Sequence, residues 1–140
     1  MSVGILCLIL TLHFVADFLL QPRWMGKNKS EQPAILLLHT CIIQAVMALG
    51  LFPFVGVHSA VVFSLCNAVV HGLTDAVSWR GYKWYVKRKY ETRKEELLAD
   101  LGITSIHEYP YWEDELFYIT LGADQLLHGL ALIVLTGVLL

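Results

Sequence analysis

His13-Phe14-Val15-Ala16-Asp17-Phe18-Leu19-Leu20-Gln21 carries a polar group at every fourth position of an otherwise apolar run. Read as a helix, this spacing puts the imidazole, the carboxylate and the amide on one stripe, one turn apart. Leu, Val and Phe cover the remaining surface. The device recurs at Asn67, His71 and Asp75, and in reverse order at Asp124 and His128. Ionisable stripes in three separate apolar segments decide both the class of fold and the place to look for a site.

The chain has 140 residues, 56% of them hydrophobic, with a mean hydropathy of +0.59. A soluble domain holds about 45–50% apolar residues. The excess excludes an ordinary soluble protein and predicts an all-α polytopic membrane protein. Four apolar runs, at 3–20, 34–52, 58–79 and 116–140, approach the ~20 residues that span a bilayer as a helix. Residues 1–140 therefore read as a single transmembrane domain, four helices in a bundle, with residues 80–115 as a basic helical insert between the third and fourth. No Lys or Arg precedes the first run, and His13 and Asp17 lie inside it, so it does not resemble a cleavable secretory signal. Cys7, Cys41 and Cys66 form no C-x-x-C pair and read as small packing residues within apolar segments.

Gln21-Pro22 stops the first segment, because proline lacks an N–H and restricts the residue before it. Arg23 to Gln32 is a polar connection, and Trp24 suits a membrane interface. Pro33 opens the second segment as a first-turn proline. The connection from Pro53 to Val57 holds no charged residue and reads as short. In the third segment Ala68, Gly72 and Ala76 flank the Asn67, His71 and Asp75 stripe; small residues at that interval let a neighbouring helix come close. Arg80 to Lys94 interleaves seven cations with Tyr82, Trp84, Tyr85 and Tyr90. It reads as a helix that extends segment three or lies on the membrane surface, attracted to anionic lipid heads. Nucleic acid is not the expected partner. Leu101-Gly102 reads as a helix stop, and Glu113, Asp114 and Glu115 complement the dipole at the start of segment four.

All ten Lys and Arg fall in the first and third connections. In a four-span chain those connections share a side, which the positive-inside rule makes the cytoplasm, with both termini outside. The expected location is the cytoplasmic (inner) membrane of a prokaryote. A rise of 1.5 Å per residue then places His13, Asp17, His39, His71, Asp75 and Asp124 about 6–13 Å from the cytoplasmic ends of their segments, with His128 one turn deeper. A charged side chain in hydrocarbon costs about 2.5–3.5 kcal/mol or more. Groups delivered to one level by four helices are therefore expected to converge, either pairing with one another or holding a cation.

His13, Asp17, His39, His71, Asp75, Asp124 and His128 are the candidate metal ligands, with Gln21, Asn67 and Gln125 nearby. Imidazole and carboxylate together suit zinc, manganese or iron. A metal-bound water of lowered pKa would make the protein a membrane-embedded hydrolase of a lipid or lipid-linked substrate; no catalytic residue is singled out. A relay for protons or ions is the second reading. A polar network that fixes helix pairing, with membrane lipid, a second copy or a partner protein outside it, is the third. His58 and His107 lie outside all three.

The set His13-x-x-x-Asp17-Phe18-x-x-Gln21-Pro22, His39 behind its leucines, His71-x-x-x-Asp75 and Asp124-Gln125-Leu126-Leu127-His128 resembles the bacterial and phage membrane proteins grouped as domain of unknown function 3307. The resemblance covers all four segments. It implies the four-helix fold and the His/Asp site, and no particular activity.

Overall fold

The computed structural model describes residues 2–101 and 111–140. Gly102 and His107, with the expected loop around them, lie outside these residues. The described residues are almost entirely helical, and no strand occurs among them.

Helix α1, Val3–Phe14, runs straight into a single π-helical turn, Val15–Leu19, closed by the Leu20 N–H on the Val15 carbonyl at 3.0 Å. The wider turn was not foreseen from the four-residue spacing. It buries both Ala16 and Asp17, which are consecutive. It also ends the helix at Leu19, so Gln21 leaves the stripe predicted for it and lies beside Gly26. Pro22 then caps the short helix α2, Arg23–Asn28, and Pro33 stands in the first turn of α3, Pro33–Val55, where a missing N–H costs nothing. Pro53 does not end α3. Gly56 does, with φ +81°, a conformation glycine adopts without a Cβ penalty. That one residue is the whole connection to α4, Val57–Leu101.

At 45 residues α4 is about 68 Å long, roughly twice the hydrocarbon thickness of a bilayer. The basic stretch from Arg80 to Lys94 is thus the continuation of the third apolar segment rather than a separate surface helix. A short 3-10 turn, Tyr111–Glu113, leads into α5, Phe117–Leu139.

α3 packs on α4, α4 on α5, and α1 on both α3 and α5, closing a four-helix arrangement. Pro33–Val55, Val57–Lys94 and Phe117–Leu139 are long and apolar enough to cross a membrane; Val3–Leu19 is apolar but shorter. The interior has two tiers. One is apolar, with Ile9, Ile43, Met47, Leu51, Ala60, Phe63 and Leu132 all buried. The other holds His13, Asp17, Lys29, His39, His71, Asp75, Asp124 and His128, equally buried. Leu37, Leu65, Val69, Leu73, Val77, Ile119 and Val134 meanwhile point outward and are exposed. Charge inside and leucine outside is the reverse of a soluble domain.

Ala68, Gly72 and Ala76 lie on α4, which packs against α3 more extensively than any other pair of helices meets. A Cβ on Gly72 would meet Thr40 Oγ1 of α3 at an ordinary 3.5 Å, whereas one on Gly50 would lie 2.5 Å from a Leu12 methyl of α1, which would have to move. The three cysteines are exposed on outer helix faces, not packed inside.

The two cation-bearing connections lie together at one end of the bundle. Arg80 Nε donates to the Ser30 carbonyl at 2.6 Å, and Lys83 Nζ to the Lys27 carbonyl at 2.6 Å and to Glu31 at 3.0 Å. Tyr82 Oη donates to the Tyr111 carbonyl at 2.7 Å, and Lys89 pairs with Asp114 at 3.0 Å and with Glu115 at 3.1 Å.

Candidate functional site

Each helix of the bundle sends at least one ionisable side chain into the polar tier, and the spacing in sequence explains how. His71 and Asp75 are one α-helical turn apart on α4, with Nε2 3.3 Å from Oδ2. Asp124 and His128 are one turn apart on α5, at 3.6 Å. His13 and Asp17 straddle the start of the π turn and are 4.0 Å apart. His39, two turns into α3, bridges the rest: its Nε2 lies 3.1 Å from Asp17 Oδ1, 3.2 Å from Asp75 Oδ2 and 3.3 Å from His71 Nε2. His128 comes within 3.7 Å of Asp75, and its ring stacks on that of His71 with centroids 4.2 Å apart. The His13 ring lies 5.2 Å from that of His128 and 5.4 Å from that of His71. The structure therefore brings together all seven side chains singled out in the sequence.

Of the polar neighbours, Gln125 joins them, donating from Nε2 to Asp17 Oδ2 at 3.0 Å. Asn67 stands further off and donates to Gln44 at 3.2 Å, and Gln21 sits outside the stripe. His58 is exposed and apart from the cluster.

Sequence reasoning missed Lys29. It follows α2 in a polar connection, where it counts as one more solvated cation; no periodicity marks it. Yet its side chain is 6% exposed, and Nζ reaches 2.8 Å from Asp75 Oδ2, 3.0 Å from His39 Nε2 and 3.5 Å from Asp17 Oδ1. The turn of α2 folds the chain back so that this lysine enters the bundle from its open end.

The cluster does not satisfy itself. Neither ring nitrogen of His13 has a hydrogen-bond partner among the described residues, nor do His71 Nδ1 and Asp124 Oδ1. A buried polar atom left unpaired costs about 1–3 kcal/mol, and several in one place call for an ion or ordered water. The charges point the same way. Ionised Asp17, Asp75 and Asp124 against one ammonium leave two negative charges if the imidazoles are neutral, an amount that one divalent cation would cancel.

Three overlapping sets have donor atoms within 4.8 Å of one another and could hold a metal: His13, His71 and His128; Asp17, His39 and His71; Asp75, Asp124 and His128. Shared His71 and His128 limit how many could be filled together. All these residues are buried, which distinguishes them from a chance patch of surface acids.

The cluster is reached from the cation-bearing end. A cavity of about 600 Å³ has Asp17, Lys29 and Asp124 among its lining, together with exposed Arg23, Lys27 and Trp112.

No curated protein and no solved structure matches the chain. A family model described as "Protein of unknown function (DUF3307)" matches residues 5–140, nearly the whole chain and every residue of the cluster. The chain belongs to the DUF3307 family.

Proposed function

We infer that the His/Asp cluster is a divalent-metal centre held within a four-span membrane protein. The observation that carries this reading is the convergence of four imidazoles and three carboxylates in the bundle interior, several of their atoms unpaired. His13, His39, His71, His128, Asp17, Asp75 and Asp124 would supply the ligands and the carboxylates that orient them. The donor set suits zinc, manganese or iron.

Such an ion supplies a Lewis acid and a bound water acidic enough to act as a nucleophile near neutral pH. With a cavity leading to it, the centre fits a hydrolase whose lipid or lipid-linked substrate arrives at the membrane surface. The apolar tier around Phe63, Met47 and Leu132 closes the other half of the bundle, which argues against a continuous path for ions.

The membrane setting follows from the same inversion of polarity. Val3–Leu19 rises about 26 Å as a helix, close to the ~30 Å hydrocarbon core, so it serves as a fourth span with modest local thinning. All ten cations lie at one end, which we assign to the cytoplasm, with both termini outside and residues 80–115 forming the cytoplasmic insert. The protein is a single domain of a prokaryotic inner membrane, its basic α4 extension resting against anionic lipid heads. A second copy or a partner protein is the further binding candidate.

Detergent-solubilised protein, loaded with zinc or manganese and given lipid analogues bearing phosphate or carboxylic esters, tests the enzymatic part. The expected result is hydrolysis that chelation and Asp75→Asn both abolish. Full metal content without turnover of either ester would overturn the hydrolase and retain the centre.

A further inference from the structure

We propose that the cavity beside the cluster is a binding site for a phosphate ester carried on an apolar chain. This rests on the metal reading of the same cluster and adds the class of substrate.

The cavity joins three chemically distinct surfaces. Its floor is the cluster itself, through buried Asp17, Asp124 and Lys29. Its mouth carries Arg23 and Lys27. Arg23 makes no ion pair among the described residues, and the Lys27 ammonium rests 4.5 Å over the ring of Trp112. Its walls include Phe18, Phe117 and Leu121, drawn from the π turn and from α5.

Each surface selects a part of the ligand. An uncommitted guanidinium matches a phosphate through two parallel N–H bonds, and an ammonium beside it adds charge without geometry. The mouth carries Arg23 and Lys27, while the two carboxylates of the lining, Asp17 and Asp124, are buried at the floor with Lys29, so an anion is favoured at the mouth. A divalent cation at the floor would complete a positive enclosure around a phosphoryl group. Carboxylic esters carry no charge for the guanidinium to read. The apolar walls are idle against a free phosphate and useful against a hydrocarbon chain. Phe18 is exposed on the outer face of the bundle, so the seam between the π turn and α5 communicates with the side of the molecule that faces lipid.

Calorimetry on the metal-loaded full-length protein in nonionic detergent tests the assignment with three probes: short-chain phosphatidate, the diacylglycerol with the same chains, and inorganic phosphate. Phosphatidate should bind, inorganic phosphate should bind more weakly, and diacylglycerol should not bind detectably. Arg23→Gln with Lys27→Gln should weaken phosphatidate by about tenfold or more, the worth of one charge-assisted contact. Both residues are exposed, so the variant should fold. Arg88→Gln with Arg93→Gln, on the exposed α4 extension, should bind like the native protein.

Diacylglycerol binding as well as phosphatidate would overturn the proposal, as would an unaffected mouth variant or an equal loss in the α4 control. Inorganic phosphate binding as tightly as phosphatidate would overturn the apolar-chain part. Metal content measured on the same samples separates this proposal from the one beneath it. Metal present with no phosphatidate bound sinks the cavity assignment alone; phosphatidate bound with no metal sinks the metal centre alone.

Discussion

The Lys29 ammonium lies 2.8 Å from the Asp75 carboxylate, and both side chains are shut inside the bundle. Lys29 thus places one fixed positive charge among three carboxylates, in a medium where an uncompensated charge is costly.

Replacing Lys29 with methionine keeps the length of the side chain and removes that charge. In the presence of chelator, Lys29→Met should lose stability on the order of 3–5 kcal/mol, the usual result of stripping one partner from a buried pair. Adding zinc or manganese should recover part of the loss. Thermal unfolding in detergent reads both; equal melting temperatures with and without Lys29 would remove its role as counter-charge.

The contact between α1 and α3 gives a prediction about packing. Gly50→Val should destabilise by about 1–3 kcal/mol, because the new Cβ falls within 2.5 Å of Leu12. Leu12→Ala in the same chain should restore part of it. Gly72→Ala should be tolerated, since Thr40 stands at van der Waals distance. Unfolding curves that rank the two glycines the other way would contradict this reading of the two contacts.

How much of this was legible in the sequence depends on which signals are local. His71 and Asp75, or Asp124 and His128, sit one turn apart on regular helix, and four-residue spacing is enough to find them. The boundaries at Pro22 and Pro33 were equally visible, because proline acts on its own backbone. The π turn was not, since a single widened turn leaves no mark in composition; it took Gln21 off the stripe and left Asp17 on it. Lys29 was hidden for a different reason. Its burial is decided by where α2 folds back against the bundle, a tertiary event, while its sequence neighbours are those of any solvated loop. Gly50 was passed over because only its distance from Leu12 marks it.

At the charged end, burial works to raise the Asp114 carboxyl, but the Leu116 N–H at 2.9 Å and the Lys89 ammonium outweigh it and hold the group below the ordinary carboxylate range. A depressed acid contributes stability above its unfolded pKa, about 3.9, and loses it as pH falls through the lower folded value. Native protein should therefore unfold at a higher temperature than Asp114→Asn at neutral pH, and the gap should narrow as pH falls below the unfolded value of about 3.9. A gap that stays constant with pH would show that the carboxylate charge contributes nothing.

Orientation is tested by labelling. In a background without Cys7, Cys41 and Cys66, Lys87→Cys should react with a membrane-impermeant thiol reagent in inverted vesicles and not in intact cells, because the cation-rich end is assigned to the cytoplasm. Labelling from outside alone would reverse the topology.

Elemental analysis of the protein purified in detergent, with native chain and His71→Ala compared side by side, decides whether the cluster holds a metal. His71 belongs to two of the three candidate ligand sets. Native protein should carry about one or two equivalents of zinc, manganese or iron, as the donor set suits, and His71→Ala clearly less. Native protein that is folded and carries no more metal than the detergent blank, or a His71→Ala variant that keeps the native content, would contradict the metal centre.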